Sequence, residues 1–203
     1  VTDPLVVAID GPAGSGKSTV GRHVAERLGL EVLDTGAMYR AVTLLVLRAG
    51  IDPADADKVA KVAKESNLVV GERVVSDGRD LTDELRTDDV NAAVSVVSAN
   101  PAVRSVLVAQ QREWVRTHGG GVVEGRDIGS VVFPHATVKV FLTASHEARA
   151  ERRPEEGPDG LARRDRLDKS RTASPLVPAD DAHHIDTTDR PASEVAEEVL
   201  GWL

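Results

Sequence analysis

At 203 residues, with 41% hydrophobic and 29% charged side chains, the chain has the composition of one globular domain with a sizeable core and room for a small insertion. The absence of cysteine excludes disulfides, thiolate zinc sites and a cysteine nucleophile, and a formal net charge of −8 argues against a general nucleic-acid binder. No apolar run approaches the roughly 18 residues of a membrane span, and the opening VTDPLVVAID lacks the basic-then-apolar pattern of a secretory signal. The expectation is a cytoplasmic protein, monomeric, with neither membrane nor nucleic acid among its partners.

Residues 5–9 form a short apolar run without alternation, the pattern of a strand buried on both faces of a parallel sheet. A helix is expected from about Lys17, with Val20, Val24 and Leu28 four apart and Gly29 as its stop. Val32 and Leu33 give a second strand before Asp34-Thr35-Gly36, and a helix follows over 37–48. From 52 to 118 the pattern changes. Asp52-Pro53 opens a helix to about 66, and the runs 68–75 and 80–81 flank a Ser-Asp-Gly turn as a small antiparallel element. A helix spans 88–98, and Asn100-Pro101 reads as an N-cap with proline at the first position of a helix to about 117.

Parallel-sheet grammar then returns. Strands are expected at 122–124 and 138–143, and Ser145 caps a helix running to 153. The segment 154–160 reads as a mobile loop, a basic helix lies near 161–172, and a strand at 184–186 precedes a final helix bearing Val195, Val199 and Leu203. The fold class is α/β, a doubly wound sheet formed by 1–51 and 119–203. A mostly helical subdomain, 52–118, is inserted into it.

The sharpest motif is Gly11-Pro12-Ala13-Gly14-Ser15-Gly16-Lys17-Ser18, followed by Thr19. It fits the P-loop pattern Gly-x4-Gly-Lys-Ser, and it lies where that pattern requires, between a buried strand and an amphipathic helix. The glycines let successive N–H groups face inward and wrap a phosphate at a helix N-terminus. Lys17 reaches β- and γ-phosphate oxygens, and the Ser18 hydroxyl is suited to hold Mg2+. The chain is therefore expected to bind a nucleoside triphosphate with Mg2+. No Asn-Lys-x-Asp segment of the guanine-reading kind is present, nor a long apolar strand ending in an Asp-Glu pair.

Two further motifs sit just past the carboxyl ends of strands, where α/β sheets bind ligands. These are Asp34-Thr35-Gly36-Ala37-Met38-Tyr39-Arg40 and Glu124-Gly125-Arg126-Asp127-Ile128-Gly129. Each sets an arginine beside glycine, suited to bidentate capture of phosphate oxygens. Residues 149–171 hold eight of the chain's 25 lysines and arginines, which suggests a basic flap over transferring phosphates. No catalytic base stands out. If the acceptor is itself a phosphate monoester, none is needed: its second pKa is about 6, so its oxygen is already anionic. Catalysis then reduces to holding two anions in line with cations, which favours a nucleotide kinase.

These motifs together resemble the bacterial cytidylate (CMP/dCMP) kinase family of P-loop nucleoside monophosphate kinases. The resemblance is carried by AIDGPAGSGKST (8–19), LDTGAMYR (33–40), NPAVR (100–104), VVEGRDIGSVVFP (122–134), KVFLTAS (139–145), RRDRLDKSR (163–171) and SPLVPA (174–179), in family order along nearly the whole chain. It implies a five-stranded parallel sheet of order 2-3-1-4-5 flanked by helices, a lid at about 154–163, and an inserted CMP-binding subdomain at 52–118. It implies phosphorylation of CMP and dCMP by ATP with Mg2+. By position, Arg40 and Arg126 would grip the CMP phosphate, while Ser95, Arg104 and Arg171 would recognise the cytosine. Arg164 and Asp168 would lie near sugar and phosphate, and Thr35, Tyr39 and Asp127 would line the pocket. Lys17, Arg126, Arg164 and Arg171 would act in catalysis. Thr35 stands where the family commonly has serine, and the stretch between Arg153 and Arg163 is shorter than the usual family lid, which leaves Arg149 and Arg153 without a clear ATP contact. Two alternatives stay open at this point: another small-molecule kinase, for UMP or shikimate, and a non-catalytic ATP-binding regulator.

Overall fold

The structure, a computed structural model, describes residues 4–154, 156–170 and 176–203, with positions 158, 164 and 168–170 given by backbone alone. The first half contains β1 (Leu5–Asp10), α1 (Lys17–Leu28), β2 (Val32–Asp34), α2 (Thr35–Arg48), α3 (Ala56–Glu65), β3 (Leu68–Val70), β4 (Val74–Ser76), β5 (Arg79–Asp80) and α4 (Asp88–Ala99). Then follow α5 (Pro101–His118), β6 (Gly120–Gly125), β7 (Val138–Thr143), α6 (His146–Glu151), α7 (Gly157–Ser170), β8 (His183–Asp186) and α8 (Ala192–Leu200). A single π-helical turn covers Ile128–Val132. Packing divides the chain into two compact units: the chain up to Leu33 together with Arg112–Leu203, and Asp34–Gln111.

The first unit is built on a five-stranded parallel sheet in the order β2-β6-β1-β7-β8. β1 lies at its centre, in register with β6 from Leu5 opposite Gly120 to Asp10 opposite Gly125, and with β7 on its other side. Its apolar run is continuous because both faces are covered: Val7, Ala8 and Ile9 are fully buried. On one face Val20, Val24 and Ala25 of α1 and Val195, Ala196 and Val199 of α8 pack against Val7, Ile9, Val122, Val140 and Leu142. Each fully buried valine or leucine there contributes about 1.5–3 kcal/mol. Helix α1 ends where the sequence implies, at Gly29 in a left-handed conformation (φ 65°), with Leu30 N–H closing back on Ala25 O at 2.9 Å.

In the second unit α2 packs on both α3 and α4. Asp34 starts α2 by accepting from Ala37 N–H, so the helix begins at Thr35, two residues earlier than the apolar spacing implies. Helix α3 begins later than Asp52-Pro53. Asp52 spends its carboxylate on Ala54 N–H in a local turn, and Asp55 becomes the N-cap through Lys58 N–H. The expected run 68–75 is not one strand. The chain reverses at 71–73, where Gly71 N–H meets Arg73 O, and β3, β4 and β5 form an antiparallel sheet. Between β4 and β5, Asp77 (φ 48°) and Gly78 (φ 78°) are both left-handed, the signature of a type I′ hairpin turn.

Two later expectations also shift. Residues 157–160, read as loop, form the first turn of α7, and Pro158 there lacks only an N–H that has no acceptor within the helix. Asn100 caps α5 as expected, its Oδ1 accepting from Ala102 and Val103 N–H. Among the described residues no single helix is long and apolar enough to cross a membrane, and α4 and α5 meet at a bend of 92°.

Candidate functional site

The Gly11–Gly16 loop leaves β1 through three left-handed glycines, Gly11 (φ 147°), Gly14 (φ 76°) and Gly16 (φ 89°). What fixes its shape is the fate of its carbonyls. Lys17 Nζ donates to Gly11 O (2.9 Å) and Pro12 O (2.8 Å), and Arg126 Nη1 also donates to Gly11 O (2.9 Å). Arg149 Nη1 takes Ala13 O (3.2 Å), Arg152 Nη1 takes Gly14 O (3.3 Å), and the Thr187 hydroxyl takes Ser15 O (3.0 Å). Five successive carbonyls are thus tied to side chains, three of them arginines. With the oxygens committed, the loop's N–H groups and the N-terminus of α1 are what remains to meet an anion. The Ser15 hydroxyl is fully buried with no protein partner, a polar atom whose hydrogen bond only ligand or solvent can complete.

Beside the loop, Ser18 Oγ donates to Glu124 Oε2 (2.9 Å), and Glu124 is buried at the end of β6. A hydroxyl paired with a buried carboxylate is an oxygen-only donor set that suits a hard cation such as Mg2+. The adjacent Arg126-Asp127 loop is held at three points. Arg126 binds Gly11 O. Asp10, at the end of β1, accepts Ile128 N–H and Gly129 N–H, both at 2.8 Å. Arg112 donates to Val131 O and Val132 O at the far end of the π turn. Burial pushes the Asp10 carboxyl up to about 6 against the pull of those two N–H groups, with Asp127 raising it further and Lys17 lowering it.

Arg149, buried on α6, also forms a two-pronged ion pair with Asp165 of α7, at 3.1 and 2.6 Å. Its guanidinium therefore runs from the P-loop to α7, the helix that carries Arg164 and Asp168 along its backbone. Arg171 lies outside the described residues, and of Arg164 and Asp168 only the backbone is described. Arg152 is anchored further by Thr187 and Thr188 carbonyls at 2.7 and 3.1 Å.

The second unit holds another polar set on apolar helices. Thr35, Tyr39 and Arg40 lie buried on α2, Ser95 on α4 and Arg104 on α5. Arg104 Nη1 donates to the Tyr39 hydroxyl (3.3 Å), and its guanidinium carbon lies 5.8 Å from the Tyr39 ring centre. Arg40 is 6% exposed and Arg104 7%. Two guanidinium groups are thus buried within one small unit, and burial of such a charge is tolerated only where hydrogen bonds or opposite charge meet it. Gly36 lies close by: a Cβ there would sit 3.3 Å from Arg40 Nη1.

Residues 7–203 match the family described as cytidylate kinase. The chain belongs to the cytidylate kinase family. It is 51% identical to the cytidylate kinase of Mycobacterium avium (strain 104), over 95% of this chain and 92% of that one. The cytidylate kinase of Nocardia farcinica is 50% identical over 97% and 92%, and that of Pelotomaculum thermopropionicum 45% over 96% and 93%. Among solved structures, a gluconokinase from Sinorhizobium meliloti 1021 superposes with a TM-score of 0.53 at 18% identity, covering 100% of this chain and 93% of its own. A putative kinase from Chloroflexus aurantiacus gives 0.52 at 13%, with both chains fully covered. At such identities these two speak for the P-loop kinase fold alone. The enzyme is accordingly a kinase of the cytidylate kinase type.

Several polar residues of this kinase's site were not singled out by sequence. Glu124 is one: a search for an Asp-Glu pair at a strand end passes over a lone glutamate. Asp10, Arg152 and Thr187 are others. Arg149, read as part of a basic flap and without a clear ATP contact, holds a P-loop carbonyl. Thr187 carries no local signal, because its role exists only once β8 lies beside β7.

Proposed function

We propose that the enzyme transfers the γ-phosphoryl group of ATP to CMP and dCMP, giving ADP and CDP or dCDP. The observation that carries this reading is a P-loop with its carbonyls tied to side chains in the first unit and buried Arg40 and Arg104 in the second, within a chain of the cytidylate kinase family.

The chemistry asks little of a base. The acceptor phosphate is anionic at neutral pH, so the bond from the γ-phosphorus to ADP breaks as a bond to the CMP oxygen forms, and no proton need move. What the protein supplies is alignment and cationic charge. Lys17 is assigned to the β- and γ-oxygens, with the rest of the loop from Gly11 to Ser18 and Thr19 assigned to the phosphates around it. Arg126 and Arg40 are assigned to the acceptor phosphate, and Arg164 and Arg171 to charge developing in transfer. Ser95, Arg104 and Arg171 are assigned to the cytosine, Thr35, Tyr39 and Asp127 to the walls around the nucleotide, and Asp168 with Arg164 to its sugar and phosphate. Ser18 and Glu124 are the groups that would hold Mg2+, whose contribution when bound is to neutralise and orient the β- and γ-oxygens. Cytosine offers a carbonyl acceptor to an arginine and an amine to a hydroxyl, and a site that pairs both rejects other bases because unpaired buried partners are costly.

Turnover with ATP, Mg2+ and a panel of CMP, dCMP, UMP, AMP and shikimate tests the reading. CMP and dCMP are expected to give the highest kcat/KM. Equal or faster phosphorylation of AMP or shikimate would overturn it.

A further inference from the structure

We propose that Asp10 is a positioning residue for Arg126 and Asp127: its carboxylate sets the course of the loop that carries them and so fixes where the acceptor phosphate is gripped. This rests on the assignment of Arg126 to that phosphate.

Asp10 is the last residue of β1, one step before the P-loop, and is 5% exposed. Both of its oxygens are used, Oδ1 on Ile128 N–H and Oδ2 on Gly129 N–H, each at 2.8 Å and across 118 or 119 residues of chain. Those two amides open the π turn Ile128–Val132, immediately after Asp127. A turn of this kind leaves its first N–H groups without an acceptor in its own backbone, and here one carboxylate serves two of them. Around this point the loop has little freedom. Arg126 is tied to Gly11 O before it and Arg112 holds Val131 O and Val132 O after it. A Cβ at Gly129 would sit 3.2 Å from the side chain of Lys139, so the backbone passes as close as a glycine allows. Asp10 is the anchor in the middle, and it joins the acceptor loop to the strand that launches the donor loop.

Electrostatics alone predicts the opposite behaviour. A buried carboxylate beside Lys17 and a site for two polyanions repels both substrates, so neutralising it should tighten binding if charge were its whole contribution. An anion kept in such a place is there for its geometry.

The test uses the full-length enzyme with Asp10→Asn and Asp10→Ser, alone and combined with Arg126→Ala. Asparagine keeps the shape but offers one acceptor and turns an amine toward the second N–H; serine leaves room for a water. Each single variant is expected to lower kcat/KM for CMP by about 100-fold, the scale of a misplaced reacting group. The dissociation constant of a fluorescent ATP analogue should stay unchanged or fall. In the Arg126→Ala background the Asp10 substitutions should cost far less than in the parent, because most of their effect passes through Arg126 and only the remainder through Asp127. Hydrogen exchange of the unsubstituted enzyme is expected to show protected Ile128 and Gly129 amides, and this measurement stands even if both variants fail to fold. Fully additive losses in the double variants, a kcat/KM for CMP equal to that of the parent, or rapid exchange at both amides would each overturn the proposal. Absence of CMP turnover in the parent enzyme would instead refute the function on which it rests.

Discussion

The two units build their polar sites from different materials. In the first, the surface assigned to the triphosphate is backbone, shaped by side chains that hold its carbonyls from outside; in the second, the groups assigned to the acceptor nucleotide are side chains projected from helices α2, α4 and α5. Backbone sites depend on glycine and on distant anchors, and admit little variation without loss of the whole shape. Side-chain sites can be retuned one residue at a time. Under the proposed function, the phosphoryl donor falls to the first kind and the choice of acceptor to the second.

That contrast has consequences that can be broken in order of size. Lys17→Ala is expected to depress kcat by about 1000-fold or more, because it removes both a charge on the transferring group and the tie that holds Gly11 O and Pro12 O. Rapid-quench turnover measures this, and a loss confined to KM would place Lys17 among the binding groups. Gly14→Ala comes next. Its φ of 76° disfavours any side chain, and the added Cβ would lie 2.9 Å from both Cβ and O of Arg149. A loss of about 100-fold in ATP affinity is expected, with CMP affinity in an equilibrium titration unchanged. Arg104→Ala should show the reverse pattern: KM for CMP higher by about 30-fold, the scale of a charged hydrogen bond, with weaker discrimination against UMP and kcat little altered. If discrimination survives intact, Arg104 does not read the base.

A different kind of effect appears in stability. The Asp10 carboxyl, raised from its ordinary value of 3.8 to about 6 by burial, holds its proton in the folded chain across a pH window where the unfolded chain has lost it. Stability therefore falls as pH rises through that window, and above it the ionised form costs about 3 kcal/mol. Urea unfolding at pH 4.5 and 7 should show the parent gaining on Asp10→Asn at the lower pH; parallel behaviour would mean that Asp10 stays ionised throughout. At the small end, Arg27→Ala removes an exposed ion pair with Glu197 and should leave the unfolding midpoint where it is.

Much of the first unit is legible in the sequence because its signals are local. The apolar run before Gly11, the four-residue spacing of Val20, Val24 and Leu28, and Gly29 after them all lie within one stretch of 25 residues. The type I′ turn at Asp77-Gly78 is likewise written in two adjacent residues. The reversal at 71–73 is not, since Leu68 to Val75 has uniform strand composition and only Gly71 hints at a break. The start of α7 was hidden by glycine and proline that elsewhere mean loop. In the site, Lys17 and Ser18 announce themselves by motif. Asp10, Glu124 and Thr187 do not, because each acquires its meaning from a partner more than 100 residues away.

The carbonyl ties of the P-loop bear on how the enzyme comes into being. Lys17 acts across six residues, Arg126 across 115, Arg149 across 136, Arg152 across 138 and Thr187 across 172. The sequence Gly11–Ser18 is made early, yet its shape is completed only when β6, α6 and β8 have all docked. A half-folded chain thus carries the nucleotide motif before most of its carbonyls are held. In refolding, binding of an ATP analogue should emerge with the last structural phase.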